Sequence, residues 1–358
     1  MSASSAGITV RVHERAEALP PAWDEFLSQC PSATIFHTAS WQQVLAASYP
    51  YRFCGLEAVD SEQQTAGVLP LWLVKSPLTG KRMVSAPFSY ICPPVANGDA
   101  VTEALLERVI ELTKANGAAY YELKSPSVIT AAESQFARSG QYETFHVDLR
   151  RSETEIWSGT HKGIIQRGVN KARKDGVIIS IGGDESSPRE FHHLNLLTCR
   201  RHGIPAQPLK FHQEVWRRLK PRGEAEFLFA EHRDKRIAAV VIFYYNGTAT
   251  YMYGASDEEH LALRPNHLLI WEAILRAKAR GMHTFDLGRV SDDNPGLKEF
   301  KQRWGAATLP LYYYYWPEKR GVGAVNRNSL KFKATTFMFS KLPLAITGHL
   351  TWLYKHLA

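Results

Sequence analysis

Cysteine is scarce in this 358-residue chain: Cys30, Cys54, Cys92 and Cys199 stand far apart, with no Cys-x-x-Cys pair. That spacing argues against a disulfide scaffold or a zinc knuckle. Long apolar runs are missing as well, and none approaches the roughly 18 residues that a membrane span requires. The opening residues are small and polar, without the basic-then-apolar layout of a secretory signal. The chain is therefore expected to be cytoplasmic, with peripheral contact at the inner face of the membrane left open. No P-loop, Gly-x-Ser-x-Gly elbow, His-Glu-x-x-His helix or three-glycine dinucleotide fingerprint occurs, so the commonest phosphate, serine-hydrolase, zinc-peptidase and Rossmann chemistries have no foothold. No metal site is expected. His192-His193 and His202 lack ligand spacing with a carboxylate or thiol and are expected to be solvated or hydrogen-bonded.

What is present is an ordinary globular composition, 44% hydrophobic and 22% charged, over a length that suits two domains. The formal net charge of +8 favours an anionic partner. Nucleic acid, a nucleotide-linked substrate, an anionic bilayer and a merely solubilising surface all satisfy it.

The most structured signal lies in 226–305. Strand patterns at 227–231, 238–243 and 248–253 follow one another, and Asn246-Gly247 joins the last two. A two-residue primed turn needs positive φ at both central positions, which this dipeptide supplies most readily. Pro265 then opens a largely apolar helix that stops at Gly281 before a strand at 283–287. A coarser copy precedes it: strands at 52–59, 66–74 and 82–88, a helix at about 101–116 stopped by Gly117, and a strand at 119–123. Laid over each other, the two helix-to-strand junctions set Tyr121-Glu122-Leu123 on Phe285-Asp286-Leu287. The expected architecture is mixed α+β: two tandem domains, 1–150 and 151–318, with mixed, mostly antiparallel sheets. An amphipathic helical tail, 319–358, follows.

Two segments carry the charge. From Lys162 to Lys174 a predicted helix holds Lys162, Arg167, Lys171, Arg173 and Lys174 with no acidic residue. It is either a contact for tRNA or a diphosphate, or a solvated face. Segment 331–358 mixes Lys331, Lys333, Lys341 and Lys355 with Phe332, Phe337, Phe339, Ile346 and Trp352. Such a stretch lies on an anionic bilayer or packs back on the protein.

The strand–hairpin–helix–strand order resembles the GNAT acyltransferase fold, in which the helix entering after the central strand binds the cofactor pyrophosphate at its N-terminus. That superfamily carries a glycine-rich turn there; this chain has Leu263-Arg264-Pro265-Asn266-His267. More narrowly, 160–305 resembles the FemABX (FemAB-like) family, nearest its branch associated with PEP-CTERM and exopolysaccharide export. The resemblance rests on Lys171 to Val177, Tyr251 to Ser256, Arg264 to Trp271, Phe285 to Gly288 and Leu297 to Gly305, in that order and spacing.

The resemblance implies two GNAT-like domains and transfer of an aminoacyl group from aminoacyl-tRNA to an amine of peptidoglycan or exopolysaccharide assembly. No tightly bound cofactor is implied. It places the family's Phe-Lys pair on Phe300-Lys301, with Lys301 stabilising an oxyanion or a substrate phosphate. Asp286 accepts or orients the amine proton. Lys301→Ala is accordingly expected to abolish transfer and leave the melting temperature nearly unchanged. Phe88, Tyr90, Tyr253 and Asn266 join the basic residues Lys162, Arg167, Lys171 and Arg173 as candidate substrate contacts. Where family members acting on muramyl-pentapeptide carry a phosphate-binding lysine four residues after a tryptophan, this chain has Trp41 and then Leu45. An amino sugar is therefore as good an acceptor. An acyl-CoA donor and a non-catalytic, membrane-associated binding protein are the alternatives. A pure nucleic-acid binder, DNA included, has no signature to support it.

Overall fold

A computed structural model describes residues 7–77, 80–318 and 336–356. In chain order the first strands are β1 (Thr9–His13), β2 (Arg52–Phe53), β3 (Gly55–Val59), β4 (Thr65–Leu69), β5 (Trp72–Ser76), β6 (Gly80–Val84), β7 (Val95–Ala96) and β8 (Tyr121–Ser125). They continue as β9 (Ala137–Asp148), β10 (Ile178–Ile181), β11 (Ala225–His232), β12 (Lys235–Tyr245), β13 (Thr248–Ser256), β14 (Thr284–Asp286), β15 (Val290–Ser291) and β16 (Ala307–Trp316). The helices are α1 (Pro21–Ser28), α2 (Ala39–Ser48), α3 (Asp99–Ala115), α4 (Glu153–Gly159), α5 (Arg167–Lys174), α6 (Ser187–His202), α7 (Leu209–Leu219), α8 (Pro265–Ala279), α9 (Pro295–Gln302) and α10 (Leu344–His349). The fold class is mixed α+β, as the sequence pattern predicts.

Contacts divide the chain into two compact units. The first takes the residues up to Tyr142 and recovers a segment beginning at Pro310; the second runs from Glu143 to Leu309 and includes the tail as far as Tyr354. The first unit thus closes with a strand remote in sequence from its other strands.

In the first unit one sheet has the order β1-β3-β4-β7, all antiparallel. A second group pairs β2 with β5, β5 with β6, β6 in parallel with β8, and β8 with the end of β16. The runs 52–59 and 66–74, each expected to be one strand, are each two, and the halves sit in different sheets. Pro70 explains the second break, because it has no N–H to continue the ladder. At the same corner Cys54 N–H donates to Leu71 O at 2.7 Å. Helix α3 packs on both groups, burying Leu105, Leu106 and Val109 with Leu56 and Leu69 of the first and Tyr121 and Leu123 of the second.

The second unit has the order β10-β11-β12-β13-β14-β9, antiparallel except for β13 beside β14. Asn246 (φ 47°) and Gly247 (φ 74°) make the expected primed turn. Side chains alternate: Leu228, Ala230, Val240 and Ile242 face α5 and α8, while Phe227 packs on Phe191 and Trp216 from α6 and α7. A bulge on β13 leaves Met252 without a register partner, so Tyr251 pairs opposite Ile242 but Tyr253 opposite Val241. The extra residue turns Tyr253 to the α6–α7 face. Strand β13 pairs with β14 only through Thr248–Thr250 and runs on to Ser256, so the two strands part beyond Asp286.

The duplication is visible in these pairings. Helix α3 ends at Gly117 (φ 57°) before β8, which is parallel to β6; α8 ends at Gly281 (φ 75°) before β14, which is parallel to β13. The charged run 162–174 is less regular than expected. Lys162–Gln166 form a π-turn, in which Gln166 N–H reaches His161 O, and α5 follows. Gly168 lets α5 close on α8: a Cβ there would lie 2.6 Å from His267 Cδ2.

Of the alternatives for His192, solvated or hydrogen-bonded, the structure removes the first: the residue is buried. Its ring centroid is 5.6 Å from that of His212, and Nδ1 of each has no hydrogen-bond partner among the described residues. Burial lowers the pKa of His192 from 6.5 to about 4, with His193 adding to the effect, and holds His212 well below its ordinary value. Unfolded, His192 takes up its proton near pH 6.5; folded, it refuses the proton until about 4, and buried His212 resists protonation in the same direction, so acid favours unfolding. Full stability is expected above pH 6.5, with a loss of about 1.4 kcal/mol per pH unit from His192 below it, down to about pH 4. Melting temperatures between pH 7 and 5 test this; a flat profile contradicts it.

Candidate active site

Asp286, the last residue of β14, is 3% exposed. Its Oδ1 accepts from Thr144 Oγ1 at 2.6 Å and from Gly288 N–H at 2.7 Å, and its Oδ2 lies 3.3 Å from His146 Nε2. Thr144 and His146 belong to β9, whose register sets His146 directly opposite Asp286. Gly288 has φ 79°, a left-handed conformation that carries its N–H back onto the carboxylate and disfavours any side chain.

Lys301 comes from α9, which Asn294 caps through Leu297 N–H at 3.3 Å and Pro295 opens. It is the buried residue of that helix, 8% exposed. Its Nζ donates to Gly288 O at 2.8 Å and Arg289 O at 3.3 Å and sits 5.8 Å from the Phe145 ring centre. Burial lowers its pKa from 10.5 to about 8; Asp286 opposes the shift and Arg289 adds to it. An ammonium has three donors, so one remains for a ligand. Lys301→Ala would strip the buried Gly288 O and the part-buried Arg289 O of a charged donor and leave a void, so some loss of stability is expected with it.

Asp286 and Lys301 are thus brought together, where β13 and β14 part. Of the basic run, Lys162 and Arg167 are exposed and have no ion pair among the described residues. Lys171 pairs with Asp175 at 2.5 Å and Arg173 with Glu272 at 2.9 Å, which spends their charge within the unit. Half-buried Asn266 is the second residue of α8, after Pro265 and after Arg264 in a left-handed conformation (φ 59°). Tyr253 packs edge-on against Phe211 and His212, its hydroxyl 3.4 Å from Gln207 Nε2. Phe88 and Tyr90 belong to the first unit. Phe88, at φ 60°, lies 4.8 Å from the Tyr49 ring, and Tyr90 lies 5.6 Å from that of Phe36. Beside α9, Gly159, His161, Glu299, Gln302 and Arg303 line an open depression of about 410 Å³, with Arg303 paired to Glu299.

Sequence reasoning missed Thr144 and His146. No local motif marks them, since their partner Asp286 is 142 residues from Thr144. Only the alternation along 143–148, with Phe145 and Val147 in the core, could have shown that these two share the other face.

The acetyltransferase (GNAT) domain family matches residues 161–302, which include both Asp286 and Lys301. Among solved structures, one described as FemX is 16% identical, covering 86% of this chain and 96% of that one with a TM-score of 0.68. The C-terminal domain of a putative lysylphosphatidylglycerol synthetase from Agrobacterium fabrum is 12% identical, with 82% and 90% covered and a TM-score of 0.55. A tandem GNAT protein from the clavulanic acid biosynthesis pathway is also 12% identical, with 86% and 98% covered and a TM-score of 0.51. No curated protein matches by sequence. The fold is the tandem GNAT fold, and the acetyltransferase (GNAT) domain match falls within its second unit. No helix among the described residues is long and apolar enough to cross a membrane.

Proposed function

We propose that this protein is a FemAB-like N-acyltransferase that moves an aminoacyl group from aminoacyl-tRNA to an amine of a peptidoglycan or exopolysaccharide precursor. The observation that carries this reading is the buried Lys301 held against Gly288 O and Arg289 O beside the Asp286–His146 pair. The acceptor nitrogen attacks the ester carbonyl, a C–N bond forms, and the C–O bond to the tRNA ribose breaks. Lys301, with its remaining N–H, stabilises the oxyanion in between. With Nε2 turned to Asp286, His146 has Nδ1 left to take the amine proton, which then passes to the departing ribose oxygen. No enzyme-bound acyl group is needed, so the protein supplies position and charge.

The donor reading is supported by the N-terminus of α8, where Pro265 removes a donor and no glycine opens the approach to a pyrophosphate. The exposed Lys162 and Arg167 add cationic contacts suited to an RNA backbone. The family match to an acetyltransferase domain favours acyl-CoA as the second reading. Binding of purified protein to acetyl-CoA and to a pool of aminoacyl-tRNA, at two salt concentrations, separates them. Salt-sensitive, saturable tRNA binding without CoA binding is the expected result; tight CoA binding alone overturns the donor.

A further inference from the structure

Two carboxylate-free stretches meet on the second unit. Residues 191–213 hold Arg200, Arg201 and Lys210 with no Asp or Glu, and 319–358 hold seven Lys or Arg, again with none. Space requirements at two glycines show how they meet. A Cβ on Gly203, the left-handed cap of α6 (φ 67°), would lie 2.1 Å from Thr336 O. A Cβ on Gly348 would lie 3.9 Å from Leu196. The tail therefore runs along α6 from its C-terminal cap back toward its middle, about 10 Å of helix. Thr347, 2% exposed, is on its inner side.

The outer side is apolar where a solvent face is ordinarily polar. Phe337 is 65% exposed, Met338 71%, Trp352 54% and Ile346 45%, and Ile204, next to the Gly203 cap, is 36%. These include the most exposed large apolar side chains among the described residues. Lys341 is exposed beside them, its Nζ 5.5 Å from the Phe337 ring centre. A folded soluble surface gains nothing from such a patch. Phenylalanine, tryptophan and methionine flanked by lysine, on stretches that themselves carry no carboxylate, match the boundary between acyl chains and anionic headgroups.

We propose that the α6–tail face is a monotopic membrane-docking surface. Ile204, Phe337, Met338, Ile346 and Trp352 enter the interface, and Lys341 lies at the level of the headgroup phosphates. The occupant is a bilayer of anionic phospholipid. The proposal is independent of the acyl-transfer reading: docking can hold without transfer, and transfer without docking.

The test is cosedimentation of the full chain with vesicles of phosphatidylcholine alone and with about a third phosphatidylglycerol, at low and high salt. Two variants accompany it: the triple Phe337→Ser/Met338→Ser/Trp352→Ser, and Lys341→Glu. Binding to the anionic vesicles that weakens with salt is expected. Each variant should weaken it by roughly tenfold or more. All four substituted side chains are exposed, and the melting temperature of each variant checks its fold. Should the triple variant unfold, Lys341→Glu and the salt series decide the matter. No binding, equal binding to neutral vesicles, or variants that bind as the parent overturns the proposal. So does a dimer in light scattering that the triple variant dissolves without any vesicle binding, because the patch then covers a second copy.

Discussion

Replacing Lys301 with methionine is expected to lower kcat for transfer by roughly 10²–10³-fold, the usual cost of removing one preorganised donor to an oxyanion. Methionine preserves the length and most of the volume of the side chain. It removes the bonds to Gly288 O and Arg289 O, but it also removes a charge that burial disfavours. These effects oppose each other, so the melting temperature should move by only a few degrees while activity collapses. In the parent, a lysine titrating at about 8 predicts a rate that falls as pH rises through that value, because only the ammonium stabilises the oxyanion. Methionine should abolish this alkaline limb in whatever activity remains. A variant retaining parental kcat removes Lys301 from the mechanism.

Asp286→Asn is expected to cost roughly 10²–10⁴-fold in kcat, the range for losing proton-transfer assistance. The amide oxygen can still accept from Thr144 and Gly288 N–H, so the turn after β14 should survive. What disappears is the charge facing His146 and Lys301. Because Asp286 raises the Lys301 pKa against burial, its neutralisation should move the alkaline limb to lower pH. A pH–rate profile tests this directly. An unmoved limb would show that the two groups are not coupled, and an unchanged rate would exclude Asp286 from proton handling.

The two expectations rest on residues that were legible to different degrees. Asn246-Gly247, Pro265, Gly117 and Gly281 were readable because each meets a local backbone demand that other residues meet poorly. With them came the strand order and the duplication. Asp286 and Lys301 could be named from the family resemblance, but not their burial, since neighbours on α9 say nothing about what covers a side chain. His146 was invisible because its role depends on β9 pairing with β14, more than a hundred residues further along the chain. The Met252 bulge was equally hidden, and it is what sends Tyr253 into the α6–α7 layer. The break at Pro70 was there to be read, yet a continuous apolar run hid the change of sheet.

The central claim is that the Lys301–Asp286 site forms an amide from an aminoacyl ester. Its most direct test follows a labelled aminoacyl group from a charged tRNA pool onto amine-bearing peptidoglycan and amino-sugar acceptors, with the parent protein and Lys301→Met side by side. An amide product with the parent, and at most a small fraction of it with the variant, is the predicted result. Label that never leaves tRNA, while acetyl-CoA acetylates the same acceptors, would contradict the aminoacyl claim; equal product from parent and variant would contradict the site.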